Sequence, residues 1–184
     1  MTFRNTIRSW GALSKALHWL IVLLIISQWV IMQRAEALPL GNAKLQAIGF
    51  HKSFGMTILA LAIIRLVWRW MNPVPSLAHV TKPWERVLAT LSHVFLYGLI
   101  FALPLSGWLM SSARGFPVAW FNQFTFPDLV AKDDGLYRQM QDLHHLLFAV
   151  LVVVALLHIA GALKHHFIDR NDVLRRMLPF GRTR

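Results

Sequence analysis

The histidines of this chain are spaced so that four imidazole rings could meet in two pairs. His51 and Arg65 stand fourteen residues apart, and His144 and His158 have the same separation. Fourteen residues of helix rise about 21 Å and rotate to within about 40° of the same face. In each segment the two basic side chains therefore lie on nearly the same face of the helix, at two different depths in the membrane. Spans two and four of a four-span bundle run in the same direction, so His51 and His144 would meet near the outer leaflet. Span one runs the opposite way, so His18, at its inner end, would fall at the depth of His158.

Two imidazoles on facing helices are what six-coordinate haem iron requires. The porphyrin supplies four equatorial nitrogens, and two neutral nitrogen ligands complete the coordination sphere. Two such pairs would stack two haems across a bilayer, with iron centres about 20 Å apart. The chain has no cysteine, which excludes c-type haem attachment, iron–sulfur clusters and thiolate zinc sites. The pattern predicts two non-covalent haem b groups.

Each histidine taken alone has more common uses inside a membrane. An imidazole can hydrogen-bond a neighbouring helix carbonyl, titrate in a proton path or cap a helix at the interface. The coincidence of four depths favours the haem interpretation over these separate uses.

The elements that would position the histidines are long apolar segments. The chain is 56% hydrophobic and 15% charged, whereas soluble domains are about 25% charged. A helix of about 20 apolar residues crosses the hydrocarbon layer. We expect an all-α integral membrane protein with a four-transmembrane-helix bundle in a single domain, 1–184. The approximate spans are 16–34, 50–70, 88–110 and 143–164, with Pro104 as a kink or stop in the third.

The distribution of basic residues predicts the orientation. Thirteen of the nineteen Lys and Arg residues lie in the two terminal tails or near the connection between spans two and three. Basic residues favour the cytoplasmic side, so both termini should be cytoplasmic, in the inner membrane of a bacterium. The tail 165–184 is basic with spaced apolar residues, which predicts a short amphipathic helix on membrane lipid. Because the basic residues flank apolar runs, no nucleic-acid partner is expected.

Three basic residues are candidates for roles around the haems. Arg65 could pair with the propionates of the inner haem, although snorkelling to the interface explains it equally well. Lys52 could do the same at the outer haem. His165 lies seven residues beyond His158 on the same stripe, about 10 Å deeper, and is a candidate for binding a quinone carbonyl.

The remaining histidines are weaker candidates. His145 points about 100° away from His144 on a helix. His93 begins the third span and could be a spare ligand or a proton donor, but packing at the interface is favoured. His79 stands in a Pro-rich loop and is expected to be solvated, and His166 is expected at the interface.

Several segments, in this order, resemble the prokaryotic cytochrome b561 family, four-helix di-haem proteins related to the b-type subunits of nickel hydrogenases. The segments are ALHW, IGFHKSFG, RLVWRW, LSHVFLYGLIFALPLSGWL, DLHHLLF, LHIAGALKHHF and RRMLPF, and together they cover nearly the whole chain. The resemblance implies haem ligands at His18, His51, His144 and His158, pairing His18 with His158 and His51 with His144. It also implies quinone as an electron partner, and some members resemble superoxide oxidases.

These observations suggest three candidate functions. The first is a di-haem b cytochrome that passes electrons from a small external donor, such as anionic superoxide, to ubiquinone, which would make it a superoxide:quinone oxidoreductase. The second is a haem b membrane-anchor subunit of a respiratory dehydrogenase or hydrogenase. The third is a haem-free transporter that uses histidine as a proton relay, which the absence of Asp and Glu from the span interiors disfavours. The sequence does not indicate an oligomeric state.

Overall fold

Four long helices dominate the fold, a computed structural model that describes residues 2–7, 9–76 and 82–180. Helix α1 spans Ala12–Ala37, α2 spans Asn42–Trp70, α3 spans Pro83–Arg114 and α4 spans Asp134–Phe167. A short helix α5, Val173–Met177, follows in the tail. All four long helices are long and apolar enough to cross a membrane. The expected all-α membrane fold with four transmembrane helices is therefore confirmed.

The helices are longer than the apolar runs that predicted them. Helix α4 begins nine residues before the expected start at 143, and α3 continues through Pro104 to Arg114. The expectation that Pro104 could stop the third helix is therefore wrong. Polar residues at a helix end can keep helical hydrogen bonds outside the hydrocarbon layer, so hydropathy marks the buried part of a membrane helix and misses its ends.

Large apolar side chains cover the outside of the helices. On α1 alone, Leu23, Ile26 and Trp29 are each more than half exposed. A contiguous apolar surface of this extent is rare on a protein surrounded by water. Lipid tails are its natural solvent, which agrees with the four apolar helices.

The described chain forms two compact units, and each contains sections of all four long helices. The first unit comprises Met1–Leu20, Ile63–Gly98 and Val150–Arg184, and the second comprises Ile21–Ala62 and Leu99–Ala149. The first unit thus holds both termini and α5. The second holds the connection between α3 and α4.

That connection contains a hairpin that the sequence did not predict. Strands β1, Val118–Trp120, and β2, Phe124–Phe126, pair antiparallel, with Trp120 opposite Phe124. The turn residues Phe121 and Asn122 have φ of 47° and 58°, which a type I′ turn requires. Such a turn is usually marked by Asn-Gly in the sequence. Here Phe121 and Asn122 occupy it, and Phe rarely adopts positive φ, so the sequence carries no signal for this hairpin.

The hairpin is fixed to α2 by hydroxyl groups on one side of that helix. Ser53 is 2% exposed, and its Oγ accepts a hydrogen bond from the Phe121 N–H at 2.9 Å and lies 3.0 Å from the Ala119 carbonyl. The Trp120 indole donates to Thr57 Oγ1 at 3.0 Å. Apolar packing of Val118 against Met56 and Leu59 completes the contact. The turn, with its positive φ angles, is therefore held by hydrogen bonds to Ser53 and Thr57.

We predict that Ser53→Ala loosens the hairpin and lowers the thermal stability of the detergent-purified protein. The substitution leaves the Phe121 N–H without its partner, which costs about 1–3 kcal/mol for a buried donor. Ser27→Ala is the matched control, because Ser27 is only partly buried and its hydroxyl donates to the Leu23 carbonyl of its own helix. Equal melting temperatures for the two variants would contradict this role for Ser53.

Candidate functional site

In the second unit the structure brings the rings of His51 and His144 together in an edge-to-face arrangement. Their ring centroids lie 6.3 Å apart with an interplanar angle of 75°. An imidazole nitrogen binds a first-row metal at about 2 Å, so two rings on opposite sides of one metal ion have centroids about 6 Å apart. The observed separation matches that distance, so these two residues fit an iron ion between them.

Helix α3 packs closely against the ring of His144. A Cβ atom at Gly107 would lie 3.2 Å from His144 Cε1 and 3.5 Å from its Nδ1. The Ser106 Oγ is 2.9 Å from the same Nδ1. Consecutive residues of α3 thus lie against the ring and its Nδ1, which sets the direction in which Nε2 points.

His51 is fixed through its backbone instead of its ring. Its carbonyl accepts a hydrogen bond from Gln28 Nε2 at 2.9 Å. Its ring Nδ1 is buried and has no hydrogen-bond partner within the described residues. Unpaired buried ring nitrogens are rare in proteins and mark positions where function outweighs stability. This imidazole therefore also fits a ligand role.

Lys52 is a residue of α2 whose ammonium reaches the segment just before β1. Its ammonium donates to the Pro117 carbonyl at 3.3 Å and lies 5.7 Å from the centroid of the Phe116 ring. The expected contact with a haem propionate stays a prediction. The contacts with Pro117 and Phe116 place the charge of Lys52 at the hairpin, close to His51 in sequence.

In the first unit the structure assembles three histidines. The rings of His93 and His158 have centroids 5.2 Å apart at an angle of 68°. His18 belongs to the same unit. His93 was expected to pack at the interface, so sequence reasoning underrated it. A usable signal existed, because His93 precedes Gly107 by the same fourteen residues that separate His144 from His158.

Arg65 belongs to the same unit and is held by neighbouring polar groups. Its Nε donates to the Tyr97 hydroxyl at 3.1 Å, and one terminal nitrogen lies 3.4 Å from the Ser14 carbonyl. The Trp68 indole donates to Ser14 Oγ at 3.1 Å, and Ser14 in turn bonds Asn5 at 2.6 Å. This network ties the N-terminal segment to α2 and fixes the guanidinium. Propionate pairing by Arg65 stays a prediction.

His165 lies in a charged cluster at the end of α4. It is 9% exposed, and its Nδ1 is 2.7 Å from Asp169 Oδ2. Lys164 forms ion pairs with Glu85 and, at 2.8 Å, with Asp169. The hydrogen bond from Lys164 holds the pKa of Asp169 below its usual range. Glu85, His165 and Asp169 have ligand atoms within 4.8 Å of one another, but the Lys164 ammonium bonded to both carboxylates marks an ion-pair cluster.

The C-terminal tail is anchored to α1. Lys15 Nζ donates to the Leu178 carbonyl at 3.0 Å, and the Trp19 indole donates to the Met177 carbonyl at 2.9 Å. Helix α5 occupies part of the segment where an amphipathic helix was expected, and it is only five residues long. His79 lies outside the described residues, as do Arg182 and Arg184 at the end of the tail.

The sequence profile described as prokaryotic cytochrome b561 matches residues 9–180 of the chain. The chain belongs to this family. The resemblance drawn from the histidine segments is thereby confirmed, and with it the haem b cofactor, electron transfer and the bacterial inner membrane.

Curated relatives match along almost their whole length. Cytochrome b561 homolog 2 of Escherichia coli is 34% identical over 179 residues, covering 97% of this chain and 95% of the relative. A probable superoxide oxidase CybB of Yersinia pestis is 27% identical, with coverage of 94% and 97%. Cytochrome b562 of Cereibacter sphaeroides is 26% identical, with coverage of 88% and 90%. Each relative is therefore a protein of similar extent.

Proposed function

We propose that this single-domain protein, 1–184, is a di-haem b cytochrome that carries electrons from a small external donor to the quinone pool. In this proposal His51 and His144 hold one haem, and His18 and His158 hold the other. The haem b cofactor and the electron transfer follow from membership of the family. The number of haems, their ligands and the two redox partners are the proposal.

The separation of His51 and His144 is the observation that supports it most strongly. Two rings 6.3 Å apart leave space for one metal ion with a nitrogen on each side. A Cβ atom at Gly107 would come within 3.2 Å of His144 Cε1, so the ring lies close to the backbone of α3.

His18 and His158 are proposed as the second pair, with His93 beside them. His158 stands fourteen residues after His144 on α4, so the two are on nearly the same face of one helix. His93 contacts the His158 ring and is the competing ligand. The matching depth of His18 favours His18 as the ligand and leaves His93 to orient the His158 ring.

The bound haem iron would supply a one-electron redox centre, and the protein would set its environment. The four histidines would hold the iron, while the apolar helices exclude water and thereby influence the potential. Arg65 and Lys52 are the cations proposed to pair with propionate groups. Arg65 is already oriented by Tyr97, so little side-chain freedom remains to be lost on pairing.

Quinone is the proposed electron acceptor, at His165. Complete reduction of one quinone needs two electrons and two protons. His165 Nδ1 lies 2.7 Å from Asp169 Oδ2, and the Lys164 ammonium pairs with the same carboxylate. These contacts orient the imidazole, and an imidazole N–H could donate a hydrogen bond to a quinone carbonyl oxygen.

Superoxide is the proposed donor. Each superoxide gives up one electron and becomes O₂, so two are consumed for each quinone reduced. The similarity to a probable superoxide oxidase over 94% of this chain supports this choice. The Lys52 ammonium, held beside the hairpin, offers positive charge that attracts a small anion.

We predict two b haems per chain in the detergent-purified protein, measured by the pyridine haemochrome assay. His51→Ala and His144→Ala should each remove one haem, and His18→Ala and His158→Ala should each remove the other. His145→Ala is the matched control, because this exposed neighbour of His144 should leave both haems bound.

Two results would contradict the ligand assignment. Full haem content in His144→Ala would exclude that residue as a ligand. Haem loss in His93→Ala together with full content in His18→Ala would assign the second pair to His93 and His158.

We predict that superoxide reduces the haems of the purified protein and that added ubiquinone reoxidises them. Both steps can be followed by stopped-flow absorption of the haem bands. His165→Ala should slow reoxidation at least tenfold and leave both haem content and the first step unchanged. His166→Ala should behave as the wild type. Loss of haem in His165→Ala, or unchanged reoxidation, would show that the quinone site lies elsewhere.

A further inference from the structure

The hydroxyl of Ser106 stands between a backbone carbonyl and the ring of His144. Its Oγ lies 2.9 Å from the Leu103 carbonyl oxygen and 2.9 Å from His144 Nδ1. We propose that Ser106 is a positioning residue that fixes the tautomer of His144 and thereby lowers the reduction potential of the haem it holds. This inference rests on the proposed ligand role of His144.

Counting hydrogens gives the direction of each bond. A serine hydroxyl has one hydrogen, and a carbonyl oxygen can only accept. Both contacts are hydrogen bonds only if the hydroxyl donates to Leu103 and accepts from His144 Nδ1–H. The proton of the neutral imidazole then lies on Nδ1, and Nε2 keeps the free electron pair that binds a metal.

Burial makes this arrangement strong. Ser106 is 6% exposed, so water cannot readily replace the hydroxyl as a partner. A hydrogen bond in such an environment is stronger than one in water. The tautomer is therefore set by the protein before any metal binds.

Gly107 restricts the ring from the next position of the helix. A Cβ there would approach His144 Cε1 to 3.2 Å, closer than most Cβ contacts. The ring thus lies against the α3 backbone while its Nδ1 is held by Ser106. These two neighbours fix both the plane of the imidazole and the direction of Nε2.

The two proposed ligands of this haem differ in their partners. His144 Nδ1 has the Ser106 hydroxyl, whereas His51 Nδ1 has no hydrogen-bond partner among the described residues. A hydrogen bond from Nδ1–H makes an imidazole a more basic ligand, which stabilises ferric over ferrous iron. The potential of this haem would therefore respond to Ser106 through His144.

The test is an anaerobic redox titration of purified Ser106→Ala and Ser106→Thr. Ser106→Ala should keep the wild-type haem content and raise the potential of one haem, favouring its reduction by up to about tenfold, or about 59 mV for one electron. The affected haem should be the one that His144→Ala removes. Ser106→Thr keeps the hydroxyl and should restore the wild-type potential.

Controls separate this effect from a general loss of packing. Ser92→Ala removes a hydroxyl that bonds the Ala89 carbonyl of the same helix at 3.0 Å, and it should change neither potential. Gly107→Ala should shift the ferric electron paramagnetic resonance signal of the same haem. Gly98→Ala, where a Cβ meets nothing within 4 Å, should leave that signal unchanged.

Unchanged potentials in Ser106→Ala with both haems bound would overturn the inference and leave the proposed function standing. The same conclusion would follow if Ser106→Thr resembled Ser106→Ala, since the hydroxyl would then not be the cause. Full haem content in His144→Ala would instead remove the proposed function on which this inference rests.

Discussion

The fold depends on one constraint, which is that polar side chains inside apolar helices must find partners within the protein. A lipid-facing helix satisfies its own backbone but offers nothing to an imidazole or a guanidinium. The chain meets this constraint with rings placed against rings and with side chains that bond backbone carbonyls. His51 contacts His144, His93 contacts His158, and Arg65 bonds Tyr97. The histidine pairs therefore connect helices as well as forming the candidate site.

The same constraint explains the ends of the helices. The hairpin between α3 and α4 has buried backbone groups, and Ser53 provides a hydroxyl for them. At the other end of α4, Lys164 bonds Glu85 and Asp169, so the charged groups near the helix end are paired. In both places the polar contacts lie next to a candidate histidine, His51 beside Ser53 and His165 beside Lys164.

The sequence predicted the parts of this structure that depend on periodicity. Apolar runs predict the four helices, and the alternating directions of the four spans predict that His51 and His144 lie at the same depth. It could not predict contacts that depend on how side chains from different helices meet, such as Ser106 with His144, thirty-eight residues apart. The hairpin was missed because its turn places Phe121 at positive φ, and only tertiary contacts make that conformation acceptable.

The central claim is that two pairs of imidazoles each hold one haem. Low-temperature electron paramagnetic resonance of the fully oxidised protein tests it most directly, because the spectrum reports the axial ligands of each iron. The account predicts two low-spin ferric species in equal amounts, both with two nitrogen axial ligands. A single ferric species for each chain, or a high-spin signal from an iron that lacks a second axial ligand, would contradict it.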